Sequence, residues 1–330
     1  MNSAPLTVWC NAHFPEGPMA ELRERLKGHS LVFPADLKKS NLAAGGIDPS
    51  LEHADIALGQ PDPQQAIRLP RLKWVHLTTA GYTRYDRDDL REAFVGRGAV
   101  LTNSSSVYAE PCAEHVFAMM LSMSRRLPQC VDDQRGTRPW QSAEHRERCR
   151  LLVGQNVLIL GFGAIATRLV ELLAPFRMHV TAVRRRPSGK ESCRVLPTEQ
   201  TDALLPEADH VVNILPANPA TEGFLTRYRL GLMRPTAVLY NIGRGTTVDQ
   251  PALVQALRGQ KIAGAYLDVT DPEPLPADHP LWTLPNCYIT PHTAGGQAAE
   301  FFRLLEHFAD NFDRFVKGEE LRDVVAGGKP

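Results

Sequence analysis

The sequence predicts an α/β protein built on open parallel sheets, and three observations predict it. Short apolar runs recur along the chain and alternate with helical stretches. One of them, Val157–Leu160, is followed at once by Gly161 and Gly163, with Ala166 in the third small position of the pattern G-x-G-x-x-G/A. Beyond it, the distinctive polar residues sit just past the C-terminal ends of further runs, the edge where an open parallel sheet binds its ligands.

At 330 residues the chain is long enough for two domains, or one large one, with an ample core. Lys plus Arg and Asp plus Glu both number 37, so the formal net charge is zero, which argues against a nucleic-acid surface built on bulk charge. A hydrophobic fraction of 43% and a charged fraction of 22% are those of an ordinary soluble globular protein. The six cysteines, Cys10, Cys112, Cys130, Cys149, Cys193 and Cys287, include no C-x-x-C pair, so neither a metal site nor a disulfide framework is predicted. The N-terminus lacks a basic region ahead of an apolar core, and no apolar run approaches the roughly 20 residues needed to span a bilayer. The expectation is a reduced, cytoplasmic setting with no membrane and no nucleic acid.

In chain order, Leu6–Trp9 reads as a first strand and Met19–Leu26 as an amphipathic helix bounded by Gly17-Pro18. Leu31–Phe33, Ile56–Leu58, Trp74–Leu77 and Val100-Leu101 are further strands, and Trp74–Leu77 leads into Thr78-Thr79-Ala80-Gly81-Tyr82. A long helix is predicted from about Ala109 to Arg126, with Val116, Phe117, Met119, Met120 and Leu121 on its buried side. The polar and basic segment Gln134–Arg150, which contains Trp140, reads as an arm for subunit contact or as a loop; its charge favours the loop.

The stretch Asn156–Arg186 is the centre of the chain. Val157–Leu160 has the composition of a strand buried on both faces, Ala166–Phe176 is helical, and His179–Val183 closes a βαβ unit. Gly161 permits a tight turn, Gly163 lets backbone approach a pyrophosphate, and Ala166 lets the helix pack close to the strand. The helix N-terminus offers N–H groups and a partial positive charge to phosphates. With both strands in place, dinucleotide binding outweighs a bare glycine turn. An acidic residue usually follows the second strand when the cofactor lacks a 2′-phosphate. Here that position is Arg184, followed by Arg185 and Arg186.

Strands Val211–Leu215, Ala237–Asn241, Gly264–Val269 and Tyr288–Thr290 continue the pattern, and the final helix Gln297–Val316 carries an aromatic stripe suited to a core. Three of those strand ends carry groups fit for hydride-transfer chemistry on a 2-oxo acid. Arg244 is a permanent cation with a planar fork of donors for a carboxylate and an adjacent carbonyl oxygen. His292 can give a proton to a developing alkoxide and take it back. Glu273 can accept from the other imidazole nitrogen and fix its tautomer. Each has an ordinary structural reading: a surface ion pair, a turn residue, a packed histidine. Together, on successive strand ends beside a dinucleotide fold, the catalytic reading prevails.

These residues carry a resemblance. Gly161-Phe162-Gly163-Ala164-Ile165-Ala166, Asn241-Ile242-Gly243-Arg244-Gly245-Thr246-Thr247-Val248-Asp249, Leu267-Asp268-Val269 with Glu273-Pro274, and Thr290-Pro291-His292-Thr293-Ala294-Gly295 resemble, in this order, the D-2-hydroxyacid dehydrogenase family of glyoxylate/hydroxypyruvate reductase type. The resemblance covers nearly the whole chain, including Ala113-Glu114-His115 and Lys317-Gly318-Glu319. It implies two Rossmann-like open parallel-sheet domains, the cofactor domain inserted into a flavodoxin-like substrate domain. Residues 1–103 with 297–330 would form the substrate domain and 104–296 the dinucleotide domain. Position by position, it implies Arg244, Glu273 and His292 as the catalytic set, and Ala80 and Gly81 as backbone donors to the substrate carboxylate. Ala164 and Ile165 match the pyrophosphate turn, Leu215 and Pro216 the wall beside the adenosine, and Asp268 the carboxylate near the nicotinamide amide. Ile242 and His292 also fall among the cofactor contacts, and Cys112 lies near the nicotinamide position. A homodimer is implied, with the helix from Ala109 and the arm around Trp140 as interface candidates.

Where the family usually has Asp after the second strand, this chain has Arg184, Arg185 and Arg186, and a guanidinium can bind a 2′-phosphate bidentately. The expectation is NADP preferred over NAD. Formate dehydrogenases resemble the same family but pair Gln with the catalytic His, which Glu273 counts against. Phosphite oxidation uses a similar Arg, Glu and His set. Corepressors of the C-terminal-binding-protein type use the fold to sense a dinucleotide without turnover.

Overall fold

Contacts divide the chain, for which the computed structural model describes residues 4–35 and 45–328, into two compact units. The first takes the described residues through Tyr108 together with those from Gln297 onward; the second is Ala109–Gly296. Residues 104–108 join the first unit because they bond back to it. The Ser104 N–H donates to the Thr79 carbonyl at 3.1 Å, and the Tyr108 hydroxyl lies 3.0 Å from the Thr78 carbonyl.

The first unit contains strands β1 (Thr7–Cys10), β2 (Ser30–Val32), β3 (Ile56–Leu58), β4 (Trp74–His76) and β5 (Val100–Thr102), parallel in the order β2-β1-β3-β4-β5. Helices α1 (Glu16–Arg25), α2 (Pro63–Arg68) and α3 (Asp88–Gly96) connect them. Gly17-Pro18, expected to bound α1, lies inside its first turn, where a missing proline N–H breaks no helical bond. The long helix α4 (Ser105–Ser124) starts ahead of the predicted Ala109 and carries the chain into the second unit. The segment Gln134–Arg150, expected to be a loop, is irregular around Trp140 but begins in the end of α5 (Leu127–Arg135) and contains the helix α6 (Ser142–Arg148). Its charges are arranged at helical spacing, as in the Glu144–Arg148 pair at 3.2 Å, and His145 joins the two helices through Asp133 at 2.7 Å. Over Ser142–Arg148 the charge density therefore marks a solvated helix face.

In the second unit, β6 (Asn156–Leu160), α7 (Ala164–Leu173) and β7 (His179–Arg184) form the expected βαβ unit. Strand β8 (Arg194–Pro197) follows, an edge strand without the apolar run that would have announced it. After α8 (Thr201–Leu204) come β9 (His210–Asn213), α9 (Arg227–Leu232), β10 (Val238–Asn241), α10 (Gln250–Arg258), β11 (Gly264–Leu267) and β12 (Cys287–Ile289). All seven strands are parallel in the order β8-β7-β6-β9-β10-β11-β12. The order reverses between β6 and β9, the switch point at which such sheets bind ligands.

The chain then returns to the first unit. Helix α11 (Glu300–Lys317) buries Leu304, Phe308 and Phe312 in a core with Val8, Ile56 and Trp74, and Phe308 stacks on Trp74 at 5.2 Å between ring centroids. Strand β13 (Val324–Gly327), which the sequence reading missed, closes the sheet antiparallel to β5. A second core, with Trp9, Val75, Tyr85 and Phe94, fills the other face.

Two histidines inside these units set an expected acid limit on stability. Burial pushes His76 down to about 3 and His210 down to about 4, from an ordinary value of 6.5. Both are neutral in the fold and protonate more readily once unfolded. Their contribution is therefore present above pH 6.5 and lost as the pH falls toward those lower values. At pH 5 the loss is roughly 2 kcal/mol for each. Denaturant midpoints at pH 7.5 and pH 5 should differ accordingly, and equal midpoints would exclude both groups as the cause.

Candidate active site

The βαβ turn of the second unit is shaped for a phosphate group. Gly161 ends β6 at φ +94°, a conformation disfavoured for residues with a side chain, and a Cβ there would approach the Ile214 carbonyl oxygen to 3.3 Å. At Gly163 the direction of a Cβ is open, with nothing within 4 Å. Gly163 is also the N-cap of α7 and supplies no side-chain acceptor, so the first N–H groups of the helix, from Ala164 and Ile165, remain available to an anion. Ala166 is fully buried beneath them. This donor set fits a dinucleotide pyrophosphate. Leu215, at the end of β9, is buried; Pro216 next to it is exposed. Ile242, past β10, is buried too.

At the end of β7 the structure pairs Arg184 with a residue the sequence reading passed over. Its Nη1 lies 3.4 Å from Oε1 of Glu191, whose side chain is only 5% exposed. The Ser188 N–H reaches the same oxygen at 2.6 Å, and that bond above all holds the Glu191 carboxyl down at about 2. Arg185 and Arg186 are exposed, and neither makes an ion pair or hydrogen bond among the described residues. A charged residue shortly after a basic strand end was the available signal for Glu191, though nothing local says that the loop folds back.

Arg244 follows β10 in a turn held by buried amides. Asn213 donates to Asn241 Oδ1 at 3.0 Å and to Thr247 Oγ1 at 2.7 Å, while Thr247 donates to the Arg244 carbonyl at 2.6 Å. Asn213, Asn241 and Thr247 are at most 1% exposed. Gly245 is required sterically, because a Cβ there would lie 1.9 Å from the Thr270 carbonyl oxygen. The Arg244 guanidinium donates to the Gly243 carbonyl at 2.6 Å. Burial lowers its pKa, while Glu273 and then Cys112 act the other way, so both lie within its electrostatic reach. Cys112, on α4, is buried.

His292 and Glu273 meet. His292 Nδ1 is 2.9 Å from Glu273 Oε2, with both side chains somewhat over a third exposed. The other carboxylate oxygen, Oε1, accepts from the Thr270 N–H at 3.0 Å. Glu273 thus stands fixed as an acceptor, which assigns a proton to Nδ1 and leaves Nε2 as the nitrogen free for substrate chemistry. The His292 backbone has φ +54°, the left-handed region, at a cost of about 1–2 kcal/mol for a residue with a side chain. Asp268 holds it there. The Asp268 carbonyl accepts from the His292 N–H at 2.9 Å, and its carboxylate accepts from the N–H groups of Thr293 at 2.8 Å and Ala294 at 3.0 Å. Asp268 itself is 3% exposed.

In the first unit, Ala80 and Gly81 form a turn past β4. The Asn103 amide donates to the Ala80 carbonyl at 2.7 Å, and Thr79 Oγ1 donates to the Gly81 carbonyl at 2.7 Å. Their own N–H groups donate to nothing among the described residues. Asn103, Ser104 and Tyr108 therefore brace a loop with two free backbone donors. No group of His, Cys, Asp and Glu among the described residues is placed to hold a metal, and no helix among them is long and apolar enough to cross a membrane.

Known proteins share this arrangement. A family model described as D-isomer specific 2-hydroxyacid dehydrogenase, NAD binding domain, matches residues 117–294. Glyoxylate/hydroxypyruvate reductase B of Pectobacterium carotovorum is 30% identical over 316 residues, 92% of this chain and 94% of that protein. Glyoxylate reductase of Korarchaeum cryptofilum is 33% identical over 267 residues, 78% of this chain and 76% of that protein. The crystal structure of the NADPH-dependent glyoxylate/hydroxypyruvate reductase of Sinorhizobium meliloti, in complex with NADP and malonate, is 25% identical with a TM-score of 0.73 and covers 99% of both chains. With the strand orders, the glycine turn and the Arg, Glu and His strand ends, these matches show that the chain belongs to the D-isomer specific 2-hydroxyacid dehydrogenase family, oxidoreductases acting on the CH–OH group with a nicotinamide cofactor.

Proposed function

We propose that this chain is an NADP(H)-preferring reductase of small 2-oxo acids of the glyoxylate and hydroxypyruvate type, forming the D-2-hydroxy acid. The observation that carries the reading is the His292–Glu273 pair at 2.9 Å on strand ends, with the half-buried Arg244 within electrostatic reach of Glu273. The names of the relatives above support the substrate class, and the S. meliloti complex supports the cofactor. The second unit serves as the dinucleotide domain and the first as the substrate domain.

The bound nicotinamide supplies or accepts the hydride. The chain's own residues do the rest. Arg244 receives the substrate carboxylate and polarises the adjacent carbonyl. His292 delivers a proton from Nε2 to the oxygen that becomes the hydroxyl, and Glu273 stabilises the ring in the form that carries it. The N–H groups of Ala80 and Gly81 are a carboxylate-binding loop. On the cofactor side, Ala164 and Ile165 take the pyrophosphate, while Leu215, Pro216 and Ile242 flank the adenosine and nicotinamide. Asp268 and Cys112 stand near the nicotinamide, and Arg184, Arg185 and Arg186 take the 2′-phosphate.

A panel of 2-oxo acids with NADPH and NADH, with phosphite in the oxidative direction, tests the reading. Turnover of glyoxylate or hydroxypyruvate with NADPH is expected. Binding of cofactor without turnover of any acid would favour a sensing role, and phosphite oxidation alone would reassign the substrate. A homodimer is also proposed, on the exposure of Leu127 at 51% and Val131 at 40% on α5 and of Trp140 at 94% between α5 and α6. Sedimentation should give twice the chain mass, and Trp140→Asp should shift it toward the monomer; a monomer at all concentrations would overturn this. A cytoplasmic setting is also proposed, because no disulfide joins the six cysteines among the described residues.

A further inference from the structure

Asp268 is the end of a hydrogen-bond chain that begins on α4, and the direction of each proton in it can be worked out. Thr290 Oγ1 lies 2.6 Å from Asp268 Oδ1, and a carboxylate only accepts, so the threonine hydroxyl donates. Tyr266 Oη lies 2.8 Å from Thr290 Oγ1, whose proton is already used, so the tyrosine donates. His115 Nε2 lies 2.9 Å from Tyr266 Oη and 3.3 Å from Thr290 Oγ1, so the ring must carry its proton on Nε2. Burial lowers the pKa of His115 and raises that of Tyr266, keeping both neutral. The result is a one-way network in which His115 faces both Tyr266 and Thr290, Tyr266 donates to Thr290 and Thr290 donates to Asp268, whose Oδ1 is itself 3.8 Å from His115 Nε2.

The far end of this chain is the residue that holds His292 in its left-handed conformation. Such a conformation persists only where its surroundings over-determine it. Asp268 does so through its carbonyl, which accepts from the His292 N–H, and through its carboxylate, which accepts from the N–H groups of Thr293 and Ala294 as long as it keeps one orientation. Thr290 lies two residues before His292 and Tyr266 two before Asp268, so the chain ties together both strands that lead into the loop.

We propose that His115 and Tyr266 are positioning residues for His292, orienting Asp268 through Thr290 so that the imidazole meets Glu273. The proposal rests on the reading of His292 as the proton donor. A purely packing role is the alternative, since the His115 and Tyr266 rings also touch, with centroids 5.6 Å apart.

The experiment is steady-state kinetics on the full chain with the best 2-oxo acid from the panel, with cofactor affinity measured separately by fluorescence titration. Tyr266→Phe keeps the ring and deletes the relayed proton; His115→Leu deletes the donor; His115→Gln restores one. The first two should each lower kcat about tenfold, with cofactor Kd within about threefold of the parent. The glutamine should recover most of the loss. The double variant should lose less than the product of the two single losses, because both donors act on the one Thr290 hydroxyl. Parental kcat in Tyr266→Phe would overturn the proposal, as would additive losses or no recovery by glutamine. If His115→Leu does not fold, Tyr266→Phe and the glutamine variant decide the matter. His292→Ala separates the two layers: if it retains turnover, the proton-donor reading fails, whereas if it is inactive and Tyr266→Phe is not impaired, only this proposal fails.

Discussion

Replacing His292 by Ala should lower kcat by about 10²–10⁴-fold, the usual effect of removing a general acid, while cofactor affinity stays nearly unchanged. The separation follows from the site. The imidazole is over a third exposed, it bonds through Nδ1 to Glu273, and its backbone is held by Asp268 independently of the side chain. Removing the ring therefore leaves the loop's backbone bonds to Asp268 in place and leaves the Gly161–Ile165 turn untouched. Glu273→Gln tests the pair from the other side. It keeps a hydrogen-bond acceptor but removes the charge, so it should lower kcat less than His292→Ala does. Single-turnover rates and cofactor Kd for both variants check this. Loss of cofactor binding in His292→Ala would make the histidine a structural residue.

Arg184→Asp should invert the cofactor preference, lowering kcat/KM for NADPH by about 10²-fold or more relative to NADH. A charge-assisted hydrogen bond contributes about 1.5–3 kcal/mol, or roughly 10–100-fold, and a carboxylate facing a phosphate adds repulsion. The structure adds a condition. Arg184 leans on Glu191, which is itself tied to the loop by the Ser188 N–H. In Arg184→Asp two carboxylates would face each other, so Arg184→Asp with Glu191→Gln is the cleaner variant. Its ratio of kcat/KM values should also favour NADH. An unchanged ratio in both would remove Arg184 from the phosphate site and leave Arg185 and Arg186 to be replaced in turn. A parent enzyme that prefers NADH would overturn the NADP reading itself.

Much of the site was legible because its residues obey local rules. Arg244, Glu273 and His292 each lie just past a strand, and strands betray themselves by short apolar runs. What was misread has local causes too. Within the charged segment Gln134–Arg150, α6 was hidden because it has no apolar face to announce it, only charges at helical spacing. Strands β8 and β13 lie at the edges of their sheets, where one side of the strand needs no apolar partner. The supports around the site left no local trace. Asn213 braces the Arg244 turn through bonds to Asn241 and Thr247, 28 and 34 residues further along the chain, yet in the sequence it looks like any polar residue near a strand end.

By itself, then, the sequence determined the α/β class, the glycine turn with its uncapped helix, and the three strand-end side chains proposed to react, since each follows from the residue and its immediate neighbours. Only the tertiary structure decided their partners: Glu273 at 2.9 Å from His292, Glu191 beside Arg184, and His115 bonded to Tyr266 across 151 residues of chain. The physical reason is that a hydrogen bond depends on the position of both ends to within a few tenths of an ångström. Strand register and side-chain direction set those positions, and they exist only once distant segments have packed.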